Sequence, residues 1–173
     1  MGEIQALPVP VQEKTGEPLK RVNLYIASSV TGPGRRAGSC GWVLECPDRP
    51  PSVKNPMTEA VYLGETTAHG ALLRALRDAL GHVRSRCALT VYTDSPYMAQ
   101  ALSVWLPCWM QNNFETKKGK PVADRENWQE AAILLNAAGF PAETRLKEAH
   151  AWRNWLAWEV KKKTAEGGKC DKD

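Results

Sequence analysis

The chain has 173 residues, 43% of them hydrophobic, enough for one sizeable core and too few for two independent domains. Its net charge of +4 is compatible with a polyanionic partner without requiring one, and its five cysteines form no C-x-x-C pair that would support a zinc site or a disulfide framework. No apolar stretch reaches the ~20 residues that cross a bilayer, and the N-terminus lacks the charged-then-apolar order of a signal peptide, so a reduced, cytoplasmic protein is expected.

Residues 1–20 mix Pro8, Pro10 and Pro18 with charges and show no period, which predicts an extended or mobile arm ahead of a domain over 21–166. The glycine and charge of 167–173 predict a tail that frays. Residues 22–29 (VNLYIASS) alternate like a strand, and 39–46 (SCGWVLEC), after a glycine-rich turn, read as its hairpin partner. A third strand is expected over 60–64. The period then changes: Ala68, Ala71, Leu72, Ala75, Leu76, Ala79, Leu80 and Val83 fall at helical spacing, with Thr67 available as the cap.

Residues 87–93 (CALTVYT) predict a buried strand parallel to an earlier one, because the preceding helix is long enough to be a crossover. Asp94 follows it directly. Carboxyl ends of parallel strands are where open α/β sheets bind ligands, although an aspartate there also serves as the cap of a helix from Ser95. Beyond it the sequence predicts a helix over 97–109 interrupted at Pro107, a polar turn at 117–121, a helix over 125–138, a strand over 142–149 and a closing helix over 152–164.

Three segments carry a resemblance. TVYTDSPYMAQAL (90–102) ends a strand on an aspartate, ETTAHGALLRALRDAL (65–80) has A-x-L-x-A-L-type spacing, and VWLPCWMQNNFETKKGKPVADRENWQE (104–130) contains W-x-x-x-W, T-x-x-x-K-P-V and a closing W-Q. Together they resemble the ribonuclease H family in its bacterial, ribonuclease HI-like form. The resemblance spans about 21–165 and implies an α/β fold, a five-stranded mixed sheet flanked by helices. It also implies hydrolysis of the RNA in RNA/DNA hybrids by paired Mg²⁺ or Mn²⁺ ions held on carboxylates.

The carboxylates themselves are mostly replaced. Where the family's first strand closes on an aspartate, this chain has Ala27; where the first helix carries a glutamate, it has Leu72; where the last helix carries an aspartate, it has Trp158. Asp94 is the one family acid retained. Glu159, next to Trp158, either aims at Asp94 in a shifted helix or pairs with Lys162 or Lys163. His150 falls near the family's loop histidine and reads either as a remnant proton shuttle or as an ordinary capping residue. Ala68 and His69 stand where the resemblance implies asparagines that read the hybrid's minor groove.

Affinity for a strand can outlive the chemistry, since phosphate contacts need only cations and polar donors. Lys117, Lys118 and Lys120, with Trp109 nearby and Asn154 in the last helix, form the candidate nucleic-acid surface; the competing reading is a solvated turn over tryptophans that belong to the core. Trp152, Trp155 and Trp158 either fill the former metal cleft or offer a protein partner an apolar patch. Lys161, Lys162 and Lys163 are expected at the end of the last helix, complementing its dipole. Three readings follow: a pseudo-enzyme that binds a hybrid or single strand, a protein-interaction module using a tryptophan-lined cleft, and a divergent active enzyme built on Asp94, Glu159 and Glu65 or Glu45. Binding ranks first and catalysis last. No cofactor is expected except in the active alternative, where Mg²⁺ or Mn²⁺ returns.

Overall fold

The computed structural model describes residues 19–171. Positions 1–18 of the expected arm and 172–173 of the expected tail lie outside the described residues. The elements are β1 (Arg21–Ser28), β2 (Arg36–Glu45), β3 (Met57–Thr66), α1 (Ala68–Leu80), β4 (Ala88–Thr93), α2 (Pro96–Gln100), α3 (Leu106–Gln111), α4 (Arg125–Ala138), β5 (Pro141–Leu146) and α5 (Arg153–Asp171). The sheet order is β3-β2-β1-β4-β5, antiparallel from β3 to β1 and parallel from β1 to β5, so the expected five-stranded mixed sheet is present.

Period-two alternation in β1 distributes its residues between two layers. Val22, Leu24 and Ile26 join α1, α4 and the residues around Trp42 in the main core, whereas Tyr25 and Ala27 face Val43, Tyr92 and Leu156 on the side covered by α5. The first helix starts as its sequence requires: Thr67 is extended, and its Oγ1 accepts from the Gly70 N–H at 2.9 Å. Its apolar stripe is buried almost without gaps, from Ala71 to Leu80.

Two expectations are corrected. Pro107 does not interrupt the helix: a π-helical turn, Ala101–Trp105, joins α2 to α3, and Pro107 sits in the first turn of α3, where a missing N–H is tolerated. Nor does the chain fray at Gly167, since α5 continues to Asp171. Reading glycine only as a helix breaker misses what lies over it. A Cβ at Gly167 would stand 2.3–2.5 Å from ring carbons of Tyr62 on β3, so the bare backbone lets that ring lie on the helix.

The same close approach recurs at Gly41 of β2, where a Cβ would meet Val160 Cγ1 at 3.0 Å and Leu156 Cδ2 at 3.3 Å. Beside these contacts the Thr164 hydroxyl meets those of Ser29 (2.9 Å) and Ser39 (2.8 Å), fastening α5 across the sheet. Among the described residues no helix is long and apolar enough to cross a membrane.

Candidate functional site

The parallel register places Tyr25 opposite Tyr92, so Ala27 and Asp94, each two residues further on, emerge at the same end of adjacent strands. They line a cleft of about 1050 Å³ with the start of α1 (His69, Leu72), the Thr31–Gly34 loop and the near face of α5. Its location at the carboxyl end of parallel strands is where this class of sheet binds ligands.

Asp94 is not the helix cap; that role belongs to Ser95, whose Oγ accepts from the Met98 N–H at 3.2 Å. The Asp94 carboxylate is engaged differently: its Oδ2 accepts from Arg153 Nε at 3.1 Å. With side chains 55% and 43% exposed, a pair of this kind stabilises the fold by only about 0–1 kcal/mol. Its effect is local, replacing a bare negative charge in the cleft by a carboxylate that already has a cation.

Helix phase decides what α5 presents. Asn154, Ala157 and Lys161, at spacings of three and four, line the cleft together with Arg153. Trp158, expected to point there, is turned away and 57% exposed, because one residue past Ala157 is a rotation of about 100°. Glu159 is half-buried and also outside the cleft. Lys161, Lys162 and Lys163 lie in the middle of α5 and not at its end, with Lys162 Nζ 5.0 Å from the Trp158 ring centroid.

His150 lines the cleft, but packing constrains it. Its ring lies 4.4 Å from that of Tyr25, and its Nδ1 accepts the backbone N–H of Trp152 at 3.1 Å, which requires the neutral tautomer protonated on Nε2. Burial holds it below its ordinary value of 6.5; Asp94, Glu45 and Glu148 oppose that shift and Arg153 adds to it. Between 6.5 and this lowered value the unfolded chain binds more protons than the folded one, so stability falls as pH falls through the window and is insensitive to His150 above it. Urea midpoints at pH 7.5 and 5.5 should therefore drop further in the unmodified protein than in His150→Gln; equal drops would remove His150 from the pH response.

A sequence profile of the RNase H family matches residues 20–143, more than half of the chain. The chain belongs to the RNase H family. It is similar to ribonuclease HI of Haemophilus influenzae, 31% identical over 110 residues that make up 63% of this chain and 66% of that one, just short of two thirds of the relative. Two solved structures share the fold. LC9-RNase H1, described as a type 1 RNase H with the type 2 active-site motif, superposes with a TM-score of 0.65 at 24% identity, over 87% of this chain and 74% of that one. LC11-RNase H1, solved in complex with an RNA/DNA hybrid, superposes with a TM-score of 0.53 at 18% identity, over 84% and 98%.

For a member of the RNase H family, the cleft holds an unusual donor set. Mg²⁺ requires several hard oxygen ligands in near-octahedral order, and paired ions require more. Ala27 and Leu72 supply none. The substitutes considered from the sequence are elsewhere: Glu45 accepts from Tyr25 Oη and from Trp152 Nε1 (3.3 Å), and Glu65 on β3 faces Arg35 at 3.8 Å. Asp124, at the head of α4, is the other cleft carboxylate, and no motif in the sequence marks it. Among the described residues no three His, Cys, Asp or Glu side chains gather as a metal site. These residues do not fit a two-metal centre of the RNase H type.

The insertion after α3 separates its lysines from its tryptophans. Lys117, Lys118 and Lys120 are exposed around a turn with Gly119 at φ 81°. Trp128 is fully buried and donates Nε1–H to Tyr97 Oη at 3.1 Å, and Trp109 is half-buried with its ring 5.6 Å from that of Trp128. The turn is anchored instead by buried Phe114 and Val122, where the Val122 N–H donates to the Phe114 carbonyl at 3.0 Å. His69 stacks on Tyr97 at 3.6 Å on the cleft side of the same aromatic group. Trp152 and Trp155 pack against the Tyr25, Val43 and Leu156 cluster, and neither they nor Trp158 line the cleft, so the expected tryptophan-lined cleft is absent.

Arg153 is the functional candidate that sequence reasoning missed, and Lys161, expected only to complement a helix end, is a second cation of the cleft. No one-dimensional pattern places residue 153 opposite residue 94. The available signal was indirect: a carboxylate stripped of its neighbouring acids has no metal to neutralise it, which favours a cation nearby.

Proposed function

We propose that this RNase H-family chain binds nucleic acid, as an RNA/DNA hybrid or a single strand, without metal-dependent hydrolysis. The observation that carries the reading is the Asp94–Arg153 pair at the end of β4, with apolar Ala27 and Leu72 in the places the family gives to acids. Without those acids there is nothing to hold the ions that activate water and stabilise the leaving oxygen. Support for binding comes from the retained fold, from the LC11-RNase H1 complex with a hybrid, and from the exposed Lys117, Lys118 and Lys120. Cys40, Cys46, Cys87 and Cys108 are free thiols, which suits a reducing compartment and hence action in the cytoplasm.

A gel-shift series with a labelled hybrid tests the reading. The unmodified protein should retain the hybrid at low salt and release it as salt rises, because cationic contacts displace condensed counterions. Replacing Lys117, Lys118 and Lys120 together by Gln should weaken retention by about tenfold or more and flatten the salt dependence. No retention at low salt would rule the binding reading out.

A further inference from the structure

We propose that Arg153 receives a backbone phosphodiester of the bound strand at the end of β4, taking over by charge and hydrogen bonding the place that the family gives to metal. The proposal rests on the nucleic-acid-binding reading above and names the contact within it.

Three observations lead there. Arg153 meets Asp94 through Nε, a single-pronged contact. Among the described residues no other hydrogen bond or ion pair involves its guanidinium, so the two Nη groups and their four N–H donors remain for a ligand. A planar fork of this kind matches two oxygens of one phosphate, which an ammonium cannot do.

The carboxylate fixes the guanidinium at one edge, so part of the ordering cost of an arginine contact is met before the strand arrives. Asp94 on this view is a positioning residue: the aspartate that would grip a cation now orients one that is covalently part of the chain.

Charge around the pair agrees. The cleft is lined by two cations, Arg153 and Lys161, and by two carboxylates, Asp94 and Asp124, the first of which is already paired. A ring of four acids repels a phosphate unless divalent ions bridge them; this balanced set does not. Arg153 and Lys161 lie on the same wall, eight residues and therefore about 12 Å apart along α5, with the Asn154 amide beside the first. A strand lying along that wall meets cations at two points.

The test is a salt titration of hybrid binding by the full chain, followed by a walk of single neutral methylphosphonates along the hybrid. Arg153→Gln should weaken binding about tenfold and lower the slope of log K against log salt by about one, as expected for one lost phosphate contact. Arg153→Lys should keep the slope and lose part of the affinity. One methylphosphonate position should weaken the unmodified protein and leave Arg153→Gln unaffected. Unfolding curves of both variants should overlay the unmodified protein, because Arg153 is 43% exposed. Retention by Arg153→Gln within twofold of the unmodified protein, with the same slope, would overturn this inference and leave the binding reading standing. So would methylphosphonate losses that are identical in both proteins at every position. Failure of the unmodified protein to bind at all would overturn both.

Discussion

Incubated with a labelled RNA/DNA hybrid and Mg²⁺ or Mn²⁺, the protein should leave the RNA strand uncut above background. Enzymatic accelerations begin at about a million-fold, and in metal-dependent hydrolysis they rest on ion-activated water and stabilised charge, which the fold alone does not supply. Asp94 and Asp124 are the carboxylates of the cleft, and Asp94 is spoken for by Arg153. Calorimetric titration should accordingly find no saturable Mg²⁺ or Mn²⁺ site that disappears in Asp94→Asn. Metal-dependent cleavage by carefully purified protein, abolished by that substitution, would show the non-hydrolytic reading to be wrong.

Trp128→Ala should destabilise the protein by about 3–5 kcal/mol in urea denaturation, whereas Trp158→Ala should cost less than about 1 kcal/mol. Trp128 is fully buried, and its removal leaves both a large void and a Tyr97 hydroxyl without its donor. Trp158 is 57% exposed and contributes a ring that Lys162 approaches. The contrast also bears on binding. Trp158 lies outside the cleft, so its loss should leave hybrid retention unchanged. Similar costs for the two tryptophans would mean that the burial assigned here is wrong.

The fold was legible because its signals are local. The alternation in residues 22–29, the stripe that starts at Ala68 and the Thr67 cap each declare an element within a few residues; β1 and α4 lie within a residue or two of their expected bounds, while α1, whose expected stripe reaches Val83, ends at Leu80 with Gly81 as its C-cap. What failed depended on packing between distant segments. Gly167 reads as a breaker until Tyr62 is placed over it, and Pro107 reads as a stop until the π-helical turn ahead of it is known. The site divides the same way. Asp94 at the end of a parallel strand was readable, and its position beside Ala27 follows from the strand register. Its partner was not, because an ion pair across 59 residues has no periodic trace. The phase of α5 was lost by a single residue, which exchanged Ala157 for Trp158.

Leu72, only 7% exposed, gives the cleft a direction in sequence space. A glutamate at that position would have to shed its hydration among the apolar side chains of α1 and the sheet, a cost of several kcal/mol unless a cation accompanies it. An aspartate restored at Ala27 would come to lie in the cleft that Arg153 already faces, where a second carboxylate competes with Asp94 for the same guanidinium. Each reversion taken alone therefore loses stability or disturbs the existing pair before any metal can be held. If the cleft holds a strand without cutting it, as proposed, small steps act as a ratchet, because a single restored acid loses stability or disturbs the Asp94–Arg153 pair before a second one can share a metal with it.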